Sequence, residues 1–332
     1  MSAVNAEHLL VALADGHAHS GEDLARAFGV TRAAVWKQIA KLEHWGLAVD
    51  AVPGVGYQLR RGIDLLDADA LRSALAPEVA ARLATLDVFT ELESTNRHLL
   101  AVPPPSPGLL RACIAEYQTA GRGRRGRRWS TPLGAGLCLS FAWQFAAAPA
   151  ELSALTLAVG VVVRRVVARG AGVEIALKWP NDLVWDDRKL GGILLELTAE
   201  GQGGCHVVAG IGINVALPAE LLPSLSDWPR GAVDLATACA MRGPPPRAAL
   251  AIGLIEELTE LFASYAETGF HAYRDEWRAA DYLRGRAVTL DEAAGHVTGT
   301  ALGIEADGSL LIETALGSRR RVVAGDVSVR SA

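Results

Sequence analysis

Apolar residues alternate with polar or small ones at Leu137, Leu139, Phe141, Trp143 and Phe145, the period-two spacing of a strand with one buried face. The surrounding uncharged run, Ser130 to Ala150, holds two prolines and Gln144, so it reads as a strand and its flanks, not a membrane helix. The period then changes. Positions 152, 155, 159, 162, 163 and 166 are apolar, which predicts a mostly buried helix stopping at Gly170. Further strands are expected at ACIAEY (112–117), EIALKW (174–179), KLGGILLEL (189–197) and HVVAGIGINV (206–215), with a hairpin at Asp186-Asp187. Proline-rich stretches at 102–108 and 243–247 are loops. Residues 63–280 therefore read as an α+β domain around a mixed or largely antiparallel sheet.

Both ends of the chain differ from this middle. Ser20 is placed to cap a helix burying Leu24, Ala25 and Phe28, and Gly29 breaks it. Thr31 caps the next, whose stripe is Val35, Ile39 and Leu42. Two short helices about a glycine turn, then two short strands around Pro53 to Gly56, predict a winged helix-turn-helix over residues 1–62. Such a fold serves DNA binding or protein–protein contact. Residues 283–332 read as short strands, RAVTL (286–290), HVTGTALGIE (296–305), SLLIET (309–314) and RRVVAGDVSVR (320–330), separated by glycine turns including Asp307-Gly308, the pattern of a small SH3-like β-barrel.

Charge narrows the functions. The chain has 332 residues and a net charge of −5, so any anion site must be local. Residues 1–61 carry six basic and six acidic side chains, yet Thr31 to Leu42 contains Arg32, Lys37 and Lys41 and no acid. That local field suits a recognition helix in a major groove, which makes Thr31, Arg32, Lys37 and Lys41 the candidate DNA contacts. Four dispersed cysteines (Cys113, Cys138, Cys205, Cys239) form no CxxC pair and argue against a zinc site or disulfide framework. Free thiols, no basic leader at the N-terminus and no apolar span predict a cytoplasmic protein without a membrane anchor.

The segment GRGRRGRRWSTP, Gly121 to Pro132, packs five arginines between three glycines. Such a segment repels itself unless an anion supplies the missing charge; nucleic-acid phosphates, nucleotide phosphates and solvent alone are the options. Four other segments carry polar groups or glycines suited to a ligand: ESTN (93–96), KWPNDLVW (178–185), RKLGGILLEL (188–197) and GIGIN (210–214). Only four of 32 basic residues are lysine, and two of them, Lys178 and Lys189, fall in these segments.

Taken together, ESTN, EYQTAGRGRRGRRW, KWPNDL, RKLGGILLEL and GIGINV resemble the biotin–protein ligases. With the winged helix, the chain is similar to their bifunctional bacterial form, which also represses biotin-synthesis genes. The resemblance implies a class II synthetase-like central domain. It also implies ATP-dependent activation of biotin to biotinyl-5′-AMP, with Mg²⁺ accompanying ATP and no metal held by a protein motif. Transfer to a lysine of a biotin carboxyl carrier protein follows. Operator DNA and an adenylate-promoted homodimer are the further implied partners.

By the same resemblance, Ser94, Thr95, Asn96, Gln118, Arg122, Gly123, Arg124, Lys189 and Gly192 hold biotin. Arg124, Arg127, Trp129, Lys178, Asn181, Lys189 and Asn214 hold ATP or the adenylate, Trp129 by stacking. Arg124, Lys178, Asp182 and Lys189 carry the chemistry, Asp182 as a polar or proton-accepting group toward the incoming amine. Alternatives are a lipoate or octanoate ligase, a ligand-sensing transcription factor without ligase activity, and a single-stranded nucleic-acid binder.

Overall fold

The computed structural model describes residues 5–199, 204–222, 228, 230–292 and 295–329. The end of the expected C-terminal strand at Arg330 lies outside them.

The N-terminal unit comprises α1 (Ala6–Leu13), α2 (Gly21–Phe28), α3 (Arg32–His44) and the antiparallel wing β1 (Val49–Val52) and β2 (Gly56–Leu59). Ser20 Oγ accepts from the amides of Glu22 and Asp23, and Thr31 Oγ1 from that of Ala34, so both caps form where the residue types require. Gly29 closes α2 at φ +66°, a conformation costly for any side chain. Leu9, Leu10, Leu13, Val35, Leu42 and Trp45 fill the core between the helices.

Two short helices, α4 (Ala68–Ala74) and α5 (Pro77–Arg82), lead into the central sheet. Then come β3 (Leu83–Leu92), α6 (Thr95–Ala101), β4 (Leu110–Gln118), β5 (Gly136–Phe145), α7 (Leu155–Ala171), β6 (Ala176–Lys178), β7 (Asp182–Trp185), β8 (Arg188–Ala199) and β9 (Cys205–Asn214). The strand order is β3-β4-β5-β9-β8-β7-β6, with β3 and β4 parallel and the other pairs antiparallel. The expected mixed sheet is present. Asp186 and Asp187, at φ 48° and 56°, make the two-residue turn between β7 and β8.

The alternation in β5 sorts its side chains by face. Leu137, Leu139, Phe141, Trp143 and Phe145 join the main core, which includes buried residues of α7 and of α9 (Arg247–Thr268), a helix following the short α8 (Leu235–Ala238). Helix α9 is an addition to the expected elements. The end of α7 also differs from expectation: Gly170 stays helical and Gly172, at φ +66°, is the cap. Gly170 packs toward Leu250 of α9, where a Cβ would come within 3.2 Å of Leu250 Cδ2, so it serves helix contact and not termination.

After α10 (Arg274–Ala279), five antiparallel strands form the C-terminal sheet: β10 (Ala287–Glu292), β11 (Gly295–Ile304), β12 (Leu310–Thr314), β13 (Arg319–Val322) and β14 (Asp326–Val329). Their order is β13-β12-β11-β10-β14. The stretch RRVVAGDVSVR, expected as one strand, is two, broken between Val322 and Asp326.

A buried pair fastens the connection between the first two units. Arg247 Nη1 donates to Glu116 Oε2, Glu116 Oε1 accepts from the amide of Leu66, and Arg247 Nη2 donates to the carbonyl of Asp64. Both side chains are buried, and the added backbone partners satisfy the charges that burial would otherwise leave exposed to a low dielectric.

Candidate functional site

A cleft of about 660 Å³ opens on the face of the sheet opposite α7 and α9. It is built by strand periodicity. In β9, Val207, Ala209, Ile211 and Ile213 enter the core, so Gly210 and Gly212 fall on the cleft face. Neither tolerates a side chain. A Cβ on Gly210 would lie 2.1 Å from Asn96 Oδ1, and one on Gly212 would lie 2.5 Å from the Trp129 ring. The GIGIN glycines therefore make room for one amide and one indole.

All the residues expected to hold biotin or the nucleotide line this one cleft. Ser94, Thr95 and Asn96 sit at the start of α6, each under 5% exposed. Ser94 caps that helix, accepting from the amide of Arg97, and the amide of Thr95 donates to Gln118 Oε1 across 2.9 Å. Asn181 donates from Nδ2 to the carbonyl of Ile193 (2.7 Å), and Asn214 from Nδ2 to that of Val233 (3.0 Å).

The arginine loop answers its own repulsion by spreading the guanidinium groups. Arg122 pairs with Glu196 at 3.0 Å. Arg124 donates to Asn181 Oδ1 and to the carbonyl of Gly325, each at 3.3 Å. Arg127 donates to the carbonyl of Arg124, and Arg128 to that of Thr119. Arg124 thereby spans from the loop to both the central and the C-terminal sheets.

Across β6, β7 and β8 the antiparallel register brings together two ammonium groups and one carboxylate. Lys189 Nζ lies 2.6 Å from Asp182 Oδ1, and Lys178 Nζ lies 3.8 Å from Asp182 Oδ2. All three side chains are at most 21% exposed. Within these three groups two cations face one anion, and positive charge in a poorly solvated cleft attracts an anion strongly. Lys178 also sits 4.0 Å over the ring of Trp228.

Several cleft residues had no clear signal in the sequence. Trp228 lies in a segment without a motif, and Asp291, Val327 and Ser328 arrive from the C-terminal sheet. Ser140 and Glu196 were legible only as strand positions; they bond to Thr95, Asn96 and Arg122.

The candidate DNA contacts lie apart, on α3. Thr31, Arg32 and Lys37 are exposed, and Trp36 between the latter two is 67% exposed. Lys41 differs. Its ammonium is 3.7 Å from Glu91 of β3 and 5.1 Å from the Trp45 ring, so it faces the central unit.

A winged helix joined to a mixed-sheet domain with a cationic, polar cleft defines a regulator–ligase architecture. Profile matches agree, with an HTH domain over 5–58, the biotin/lipoate A/B protein ligase family over 88–214 and the biotin protein ligase C-terminal domain over 284–330. The bifunctional ligase/repressor BirA of Salmonella typhimurium is 38% identical over 327 residues, 98% of this chain and 97% of its own. BirA of Bacillus subtilis is 31% identical over 91% of each chain. The solved biotin protein ligase from Aquifex aeolicus in complex with biotin and ATP matches with a TM-score of 0.61 at 27% identity, covering 75% of this chain and 100% of that one. The chain belongs to the biotin/lipoate A/B protein ligase family, in its bifunctional ligase/repressor branch.

Proposed function

We propose that the protein joins biotin to ATP, transfers the biotinyl group to a lysine of a biotin carboxyl carrier protein, and represses biotin-synthesis genes. The observation that carries the ligase reading is the Lys178–Asp182–Lys189 group beside the arginine loop in one cleft with the ESTN and Gln118 polar groups.

In the first step a carboxylate oxygen of biotin attacks the α-phosphorus of ATP and the bond to the β-phosphate breaks. Two anions must approach, and fixed cations offset their repulsion and stabilise charge growing on the phosphates. Lys189 and Arg124 would meet the carboxylate and α-phosphate, and Lys178 and Arg127 the phosphates. Trp129, Asn181 and Asn214 would take the nucleoside, while Ser94, Thr95, Gln118 and the Arg122–Arg124 backbone with Gly192 hold biotin. Magnesium would arrive on the triphosphate, since Asp182 is already engaged by two lysines.

In the second step the carrier amine attacks the acyl carbon, AMP leaves, and the amine proton is lost. A free lysine is only ~0.1% neutral at pH 7.5. The positive charge of Lys189 and Arg124 disfavours the ammonium form of an incoming lysine. Asp182 holds the two catalytic ammonium groups in place.

The exposed Arg32 and Lys37 support DNA binding by α3. Few phosphate contacts per winged helix favour a two-fold dimer on a palindromic site, and an adenylate that stabilises the dimer would tighten DNA binding by linkage. No helix among the described residues is long and apolar enough to cross a membrane, and we read a cytoplasmic protein.

The test is exchange of radiolabelled pyrophosphate into ATP with biotin, lipoate and octanoate in parallel. Biotin alone should support exchange, and Lys189→Ala should lose it by about 10²-fold or more. Exchange with lipoate and not biotin, or wild-type turnover by Lys189→Ala, would overturn the reading.

A further inference from the structure

Behind the cleft lies a chain of hydrogen bonds whose direction can be worked out by counting protons. Asn96 Nδ2 lies 3.1 Å from the carbonyl of Leu194 and 2.9 Å from Glu196 Oε2. A carbonyl and a carboxylate only accept, so both amide hydrogens of Asn96 are committed and Oδ1 must face the other way. There it lies 2.6 Å from Ser140 Oγ. Ser140 has one proton, and Asn96 Oδ1 can only accept it. The second 2.6 Å contact of Ser140, to Thr95 Oγ1, must then be donated by Thr95. The longer approach of Thr95 Oγ1 to Gln118 Oε1, 3.3 Å, gets no proton, and Gln118 Oε1 is served by the amide of Thr95.

We propose that Ser140 and Glu196 are positioning residues that fix Thr95 Oγ1 as a pure acceptor and so select a biotin ring by its ureido N–H groups. The relay runs Thr95 to Ser140 to Asn96 to Glu196, and Arg122 of the arginine loop closes it on the far side of the Glu196 carboxylate at 3.0 Å. It rests on the biotin reading of the cleft. Asn96 has every polar site engaged within the relay and acts through Thr95 instead of touching biotin itself, which changes the role expected for it. Ser140 is fully buried and Asn96 is 3% exposed, so water does not compete for these bonds. In such surroundings a reversed or missing proton leaves a polar atom unsatisfied, which is costly. The same carboxylate ties the floor of the pocket to the loop that covers it. Gly210 is the space in which the Asn96 carboxamide sits.

The test compares biotin with its cyclic carbamate analogue, in which one ureido N–H is replaced by oxygen, in pyrophosphate exchange. Against wild type the analogue should be strongly disfavoured, because a ring oxygen facing an acceptor-only hydroxyl leaves both unpaired. Ser140→Ala releases the Thr95 proton, for which a carbamate ring oxygen then competes with Gln118 Oε1 at 3.3 Å. The biotin-to-carbamate ratio of kcat/KM should shrink by about tenfold, with the biotin KM rising by a similar factor and kcat and the ATP KM changing less. Glu196→Leu, near the rim and a smaller risk to folding, removes the acceptor of one Asn96 amide hydrogen and should narrow the ratio by about threefold; if Ser140→Ala does not fold, this variant decides. A merely structural role would weaken both substrates equally, so an unchanged ratio in the folded variants overturns the relay while leaving the biotin reading intact. Absence of biotin-dependent exchange by the wild type would overturn that reading and the relay with it.

Discussion

The amide of Leu133 donates to the carbonyl of Trp45 across 2.9 Å, and the Leu133 side chain, 2% exposed, is packed into the core of the winged helix. Leu133 belongs to the segment between the arginine loop and β5, four residues after Trp129. Trp45 ends α3 and its Nε1 donates to Glu91. One short stretch thus reaches from the cleft to the end of the recognition helix. Leu133→Ala should cost about 2–4 kcal/mol at this joint and give the N-terminal unit its own lower-temperature calorimetric transition. A single unshifted transition would show that the contact carries no stability.

Lys41 is part of the same joint, so the basic residues of α3 are not equivalent. Lys37→Ala should lower the salt dependence of operator binding by roughly one unit of slope per half-site, as loss of a phosphate contact does. Lys41→Ala should leave the slope unchanged, because its ammonium is directed at Glu91. Equal slopes for the two variants in fluorescence anisotropy across a salt series would contradict this division.

Arg124 bonds to Asn181 on one side and to the Gly325 carbonyl on the other. Arg124→Gly removes both, along with a charge that we propose meets the adenylate. Biotinyl-AMP should still form but leave the cleft early, seen as indiscriminate biotinylation of bystander proteins on blots. A variant that makes adenylate yet labels only its carrier would remove Arg124 from the role of cover.

Asp281 lies where the central and C-terminal sheets meet, paired across a bridge with Leu177. Its Oδ1 accepts from the amide of Leu283, while Oδ2 is buried without a hydrogen-bond partner among the described residues. Burial pushes this carboxyl up to about 6, against a smaller opposing pull from neighbouring amides and Arg284. The folded state therefore holds this proton over a range where the unfolded chain has released it. Its contribution favours folding at low pH and is lost as pH rises from about 4 through 6. Asp281→Asn keeps the acceptor for Leu283 and removes the charge, so it should stabilise the protein at pH 7.5 by about 1–3 kcal/mol and have little effect near pH 4. Denaturant melts at the two pH values check the sign; a destabilised variant at pH 7.5 would refute it.

Local pattern determined a good deal of this protein. Caps at Ser20 and Thr31, the turn at Asp186-Asp187 and the alternation in β5 depend on residues adjacent in the chain, and they appear where the sequence places them. Clustered arginines and glycine pairs likewise marked the cleft, because charge density and missing side chains are visible without coordinates. Other features depend on partners distant in the chain. Gly170 reads as a helix stop until α9 lies against it, and nothing adjacent to Lys41 in the chain announces the Glu91 carboxylate 3.7 Å from its ammonium. Ser140 is an unremarkable strand residue, 44 positions from Asn96. Only the packing of α6 against β5 brings the two within bonding distance, and only the full set of acceptors around Asn96 fixes which way its protons point.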